Sequence, residues 1–191
     1  VGKGPTADLV RRFDRSGWNV MSLNHACTLP IPLTIAHFVD LSALRDCQAT
    51  LTARPDVTIV LPWRPHVHFK PGPTLCEQSD QVIAFLERYD RVAAYNVPGV
   101  PRPHPDLPAV RLRKFSAVGA VALLAACDVK TVYTAGVDGG TEYAPGFDRK
   151  DLLANGQPNF DGQFAEFRRI EKIYGVRIVP LAPDDHCPIE D

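Results

Sequence analysis

The chain has no excess charge of either sign: 21 Lys and Arg stand against 22 Asp and Glu, for a net charge of -1. That excludes an electrostatic footprint for nucleic acid or for an anionic membrane, both of which call for a cationic surface. No apolar run approaches the roughly 20 residues that span a bilayer, and no basic, then apolar, then small-residue leader is present. These absences describe a cytoplasmic protein without a transmembrane segment, with a peripheral place at the inner membrane left open. Cysteine is sparse and unpatterned. Cys27, Cys47, Cys76, Cys127 and Cys187 are odd in number and lack metal-ligand spacing, so reduced thiols are expected rather than a disulfide framework or a zinc site. His66 and His68 lack a third ligand nearby in sequence, and no metal site is read there. Repeats, heptads and low-complexity tracts are also missing, which excludes a solenoid or a coiled coil.

What the chain does have is a core. With 45% hydrophobic residues over 191 positions, it is long enough for one domain with a sizeable buried interior. Its organising stretch is KFSAVGAVALLAACDVKTVYTAGVDGGTEYAPGFD, from Lys114 to Asp148. Ser116 is placed to cap a helix on which Val118, Val121, Ala122, Leu124 and Ala125 recur at helical spacing, ending at Asp128. Thr131 to Ala135 is β-branched and aromatic, too short for a helix and without alternation. It fits a central parallel strand covered on both faces. Gly136, Val137, Asp138, Gly139 and Gly140 follow at its carboxyl edge, where open α/β sheets meet their ligands.

Toward the start, Val1 reads as the tail of a first strand, and Gly2 and Gly4 as a turn into a helix capped by Thr6 with Leu9, Val10 and Phe13 on its apolar face. Amides at such a helix start attract phosphate. This is neither a P-loop nor a full dinucleotide fingerprint, since the GxxxxGK run and the third glycine are both missing. Further strands are expected at Asn19–Leu23, with Asn24 and His25 at its end, at Ala36–Val39 ending in Asp40, and at Val57–Leu61. Asp40 is expected to cap a short helix carrying Leu41, Leu44 and Cys47. From about 62 to 110 many of the 18 prolines cluster, which predicts an insertion of extended loops, lid or linker, around a helix at Gln81–Tyr89 and a short strand at Arg91–Tyr95. Arg111 and Arg113 lead into Ser116, cations beside a helix start that suit a nucleotide phosphate. An amphipathic helix from Gln163 to Tyr174, with Phe164, Phe167, Ile170 and Ile173 or Tyr174 facing the sheet, a stop at Gly175 and a last strand at Val176–Leu181 complete the pattern.

The organising segment, with Tyr143 and Phe147-Asp148 beyond it, resembles the signature of bacterial sialyltransferases of the Campylobacter type and of the motility accessory and pterin diphosphokinase-like proteins that share their core. Val1-Gly2-Lys3-Gly4-Pro5-Thr6 is similar to the first glycine loop of that family, and Ile170 to Ile178 to its last helix and strand. The resemblance implies a Rossmann-like α/β fold, read here as a single domain over 1–191 with a mostly parallel sheet and helices on both faces. It also implies a nucleotide or sugar site drawn from Gly2, Gly4, Thr6, Asn24, Arg113, Ser116, Gly136 and Asp138. Tyr143 matches a family tyrosine whose hydroxyl meets the phosphate leaving group. The family's basic histidine has no counterpart, because 144–174 contains none; Asp148, Asp151 or Asp161 could act in its place. The expected activity is transfer of a sugar from a CMP-linked nucleotide donor to the hydroxyl of a glycan or other acceptor, with no metal and no cofactor. The alternatives are a diphosphokinase using ATP and magnesium held by Asp138 and Asp148, or a non-catalytic nucleotide-binding protein. A homo-oligomer is left open.

Overall fold

The computed structural model describes residues 1–12, 17–67, 70–111, 115–147 and 159–181. It is an α/β structure with a parallel four-stranded sheet flanked by helices. Contacts gather into two compact units, Val20–Leu112 on the one hand and Val1–Asn19 with Arg113–Asp191 on the other. Among the described residues no helix is long and apolar enough to cross a membrane.

In the unit Val20–Leu112 the sheet is built from β1 (Met21–Leu23), β2 (Ile35–His37), β3 (Thr58–Pro62) and β6 (Val92–Tyr95), side by side in that order and all parallel. Strand β3 is the uniformly apolar run, and Ile59, Val60 and Leu61 are indeed all buried, as a strand covered on both faces requires. On one face the helices α1 (Leu41–Asp46), α2 (Gln48–Thr52) and α3 (Asp80–Glu87) supply Leu41, Leu44, Leu51 and Val82 to a core shared with Ala36, Phe38, Ile59 and Leu61. The single short helix expected after Asp40 is thus two, broken at Cys47.

Long-reaching polar side chains hold the irregular parts. The Arg54 guanidinium donates to the carbonyls of Cys27, Leu29 and Ile31 at 3.1, 3.0 and 3.3 Å, shaping the segment that follows β1. The proline-rich stretch contains a two-stranded antiparallel pair, β4 (His66–Val67) with β5 (Lys70–Pro71), which the sequence did not signal. Its later half is tied down by Asn96, whose amide donates to His104 and Leu107 carbonyls at 2.7 and 2.9 Å and accepts from the His104 amide at 2.9 Å.

His37 and Tyr95 share a sheet face, since both align with the same side of β3. His37 is fully buried, with Nε2 2.8 Å from the Tyr95 hydroxyl and the rings stacked at 5.8 Å, while among the described residues its Nδ1 has no hydrogen-bond partner. Burial pushes the imidazole down from 6.5 to about 4 and the Tyr95 phenol up. The unfolded chain therefore takes up this proton near pH 6.5 but the folded one only near 4. Its stability contribution is whole above about 6.5 and is lost as pH falls toward 4, by roughly 3 kcal/mol in total. His66, also lowered by burial, adds in the same direction. Urea midpoints measured from about pH 7 to 4 should fall steeply for the wild type and distinctly less for His37→Gln, which keeps a polar group there and cannot titrate in that range; equal slopes would refute this assignment.

The other unit comprises a 3-10 helix at Pro5–Arg12, α4 (Ser116–Ala126), β7 (Thr131–Thr134), α5 (Gly162–Tyr174) and β8 (Arg177–Pro180), with β7 and β8 parallel. Helix α4 has so many small apolar residues that almost its whole surface is buried, from Ala117 to Ala122 and again at Ala125. It packs on α5. Gly175 ends α5 in the left-handed conformation at φ 68°, the stop that the sequence predicted.

Several expectations are corrected. Val1 is not in a strand; the segment instead donates from the Gly2 amide to the Ala135 carbonyl at 2.7 Å. Thr6 lies inside the 3-10 helix rather than capping it, and Ser116 is the first helical residue after an N-cap at Phe115. On α5, Phe167 and Ile170 are buried but Ile173 is 58% exposed and Tyr174 also faces water. Phe13, His68, Arg113, Asp148, Asp151 and Cys187 lie outside the described residues.

Candidate functional site

Just beyond the carboxyl end of β7, Gly2 and Gly4 meet Gly136 backbone to backbone, and Gly4 lies against the Asp138 carboxylate. The Gly4 amide donates to the Gly136 carbonyl at 2.8 Å, one step along from the Gly2–Ala135 bond. A β-carbon on Gly2 would stand 2.1 Å from the Gly136 oxygen, one on Gly136 would stand 2.6 Å from the Gly2 oxygen, and one on Gly4 would stand 2.5 Å from Asp138 Oδ2. The glycines that read as a phosphate cradle are thus required first by the close approach of two chain segments to each other.

Thr6 locks the crossing. Its backbone N–H donates to Asp138 Oδ2 at 2.8 Å, its hydroxyl donates to Asp138 Oδ1, and the same hydroxyl accepts from the Gly136 amide at 2.8 Å. Both carboxylate oxygens of Asp138 are therefore used in holding the N-terminal segment. A charged acceptor that also faces the first turn of the 3-10 helix suits the orphan amides there.

The far side of the glycine loop is held from α5. Asp161 Oδ1 accepts from the Gly140 amide at 2.7 Å, and the Phe160 amide donates to the Gly140 carbonyl at 2.9 Å. Gly139 is as tightly fitted as Gly136, with a β-carbon position 2.5 Å from Asp161 Oδ1 and 2.7 Å from the Phe164 ring. Asp161, a candidate base from the sequence, is thus placed as a brace for the loop.

Lys3 and Tyr143 are brought together on this frame. The Ala144 amide donates to the Lys3 carbonyl at 2.7 Å, and Lys3 Nζ lies 4.5 Å from the centre of the Tyr143 ring and 5.9 Å from that of Phe147. Tyr143 stacks on Phe160 at 6.4 Å, and Phe160 in turn meets Phe115, the residue before Ser116, at 6.1 Å. A cation over a phenol is a favourable pair in itself, and it brings an ammonium and a phenol onto the same part of the frame. Sequence reasoning passed over Lys3; a lone cation between two closely spaced glycines was the available signal.

Asn24 belongs to the other unit. It ends β1 in the left-handed region at φ 48°, a conformation that asparagine tolerates better than most. Its Oδ1 accepts from the Val39 amide at 3.2 Å and its Nδ2 donates to Asp40 Oδ2 at 3.4 Å. Asp40 precedes α1 but gives it no side-chain cap; its other oxygen stands 3.9 Å from His66 Nδ1. His25 is paired with Asp46 at 3.0 Å.

A small cavity also opens at the carboxyl ends of β3 and β6, among Trp63, Arg64, Asn96, Val100, Pro101 and Arg102. Its cations are committed locally, Arg64 to the Gly72 and Pro101 carbonyls at 2.7 and 2.9 Å and Arg102 to Glu77 at 2.6 Å. Among the described residues Cys27, Cys47, Cys76 and Cys127 are in no disulfide, and no three His, Cys, Asp or Glu side chains gather as a metal site. No protein-family model, no curated protein and no solved structure matches the chain.

Proposed function

We propose that the chain is a glycosyltransferase of the sialyltransferase type, moving a sugar from a CMP-linked donor to the hydroxyl of a glycan or other acceptor. The observation that carries this reading is the pairing of Lys3 with Tyr143, 4.5 Å apart, on a glycine loop that is braced on both sides. Departure of a nucleotide leaves charge on phosphate oxygens, and a fixed ammonium and phenol hydroxyl are the groups that stabilise such charge without a metal. Backbone amides of the paired glycine loops and the start of α4 at Ser116 would add to the same field.

A diphosphokinase is the second reading, and the state of Asp138 argues against it. A magnesium ion would need at least one carboxylate besides substrate phosphates and waters, whereas both oxygens of Asp138 already accept from Thr6; Asp148, the other ligand in that reading, is outside the described residues. A nucleotide-binding protein without catalysis is the third.

Thermal shift with CMP, CDP, UDP, ATP and GTP, each with magnesium and with chelator, separates the three. At a hundred times its dissociation constant a ligand of the native state adds about 2.7 kcal/mol, worth roughly 5 to 10 °C for a chain of this size. CMP should raise the melting point equally in both conditions. A response to ATP confined to magnesium would favour the kinase, and no response to any nucleotide would overturn both enzymatic readings.

A further inference from the structure

We infer that His66, Asp40 and Asn24 form a proton-accepting centre at the carboxyl ends of β1 and β2, in which His66 Nε2 takes the proton of an alcohol or water brought to that edge. It stands on the unit Val20–Leu112 alone and does not rest on the glycosyl-transfer reading. The topology delivers the residues. Asn24 follows β1 and Asp40 follows β2, at the edge where parallel sheets present their working groups. His66 is returned to the same place after β3, by a bridge between Asp40 and His66 and a bond from the His66 amide to the Val39 carbonyl at 2.7 Å.

Each member is oriented by the next. The Asn24 amide spans the Val39 amide and Asp40 Oδ2, so the carboxylate is steered from behind, and Asp40 Oδ1 faces His66 Nδ1 at 3.9 Å. Such contacts are commonly long in unliganded sites and tighten when a substrate arrives. At 3.9 Å the carboxylate is not hydrogen-bonded to Nδ1, but its charge favours the tautomer with the hydrogen there, which leaves the lone pair on Nε2. Among the described residues Nε2 has no hydrogen-bond partner. The two side chains are 24% and 26% exposed, reachable by a ligand yet shielded enough for the pair to matter.

The charge state fits this role. Burial lowers the imidazole from its ordinary 6.5, with Asp40 pulling partly the other way, so the ring is neutral at neutral pH. Of the charged groups on the elements packed against it, Arg45 and Asp46 on α1 and Lys70 on β5, none comes within ion-pair distance as Asp40 does, and Asp46 is taken by His25. In the step itself the O–H bond breaks and an Nε2–H bond forms, the electron pair stays on oxygen, and Asp40 balances the imidazolium. The proton then leaves to solvent.

The test is long-range proton–nitrogen NMR on the full chain with isotope-labelled histidine, His66 being assigned by its loss in His66→Gln. At about pH 7.5 the ring should be neutral with its hydrogen on Nδ1, titrating below 6.5. Asp40→Asn should lose that single tautomer. Asn24→Gly, which keeps the left-handed backbone, should shift it part of the way and covers the case in which Asp40→Asn does not fold. Carbethoxylation of His66 by diethylpyrocarbonate, read on the peptide by mass spectrometry, should be slower in both variants. A wild-type ring that is charged at that pH, that carries its hydrogen on Nε2, or whose tautomer is indifferent to both substitutions would overturn the proposal.

Discussion

Gly136→Ala is expected to cost about 3 kcal/mol or more, and to lower the melting temperature by roughly 10 °C. Gly136 sits at φ +67° and its missing β-carbon would fall 2.6 Å from the Gly2 oxygen and 2.9 Å from the Ala7 β-carbon. The backbone strain alone is worth about 1 to 2 kcal/mol. The collision adds to it, because backbone cannot swing away as a flexible side chain would. Gly140→Ala is the control: φ is +57° but nothing lies within 4 Å of the added atom, so only the strain remains. Urea unfolding of both variants isolates the difference. If the two lose the same stability, the crossing of the glycine segments is looser than described and Gly136 is merely a turn residue.

Tyr143→Phe should lower turnover about a hundredfold, on the order of 3 kcal/mol, while nucleotide affinity changes much less. The ring stays on Phe160 and under Lys3, so the substitution removes the hydroxyl and little else. Lys3→Met removes the cation from the same pair and should raise the concentration of CMP needed for half-saturation as well as slow transfer. Asp138→Asn behaves differently under the two chemistries. In the transferase reading it should bind nucleotide in chelator as in magnesium, at a cost of about 1 kcal/mol in stability, because one Thr6 donor at this exposed crossing exchanges its acceptor for water. In the kinase reading it would abolish metal-stimulated binding and leave Tyr143→Phe nearly silent. Transfer and hydrolysis assays on the variants, with magnesium and with chelator, therefore give opposite patterns. Full activity in all of them would mean that the loop is structural only.

The sequence by itself determined the elements of this protein. An apolar run without alternation placed β3, helical spacing placed α3, α4 and α5 to within a residue or two at most ends, and Gly175 marked a stop, because these choices depend on neighbours a few residues away. A β-branched and aromatic run placed β7, but not as the central strand covered on both faces that was expected, since among the described residues it pairs with β8 alone and its burial alternates. It also pointed to the glycine segments and to Asp138 as belonging at a strand's carboxyl edge. Only the tertiary structure decided what those residues do there. That Thr6 reaches Asp138 across 132 positions, that Gly2 and Gly136 need their bareness for each other, that Lys3 covers Tyr143, and that Asp40 ends facing His66 rather than capping α1 are all pairings of segments distant in sequence. Periodicity does not encode which side chain will meet which across such a crossing. The exposed end of α5 has the same cause: Ile173 and Tyr174 continue the apolar spacing, but among the described residues nothing buries them as Phe167 and Ile170 are buried, and a pattern of residues carries no information about where its partner surface stops.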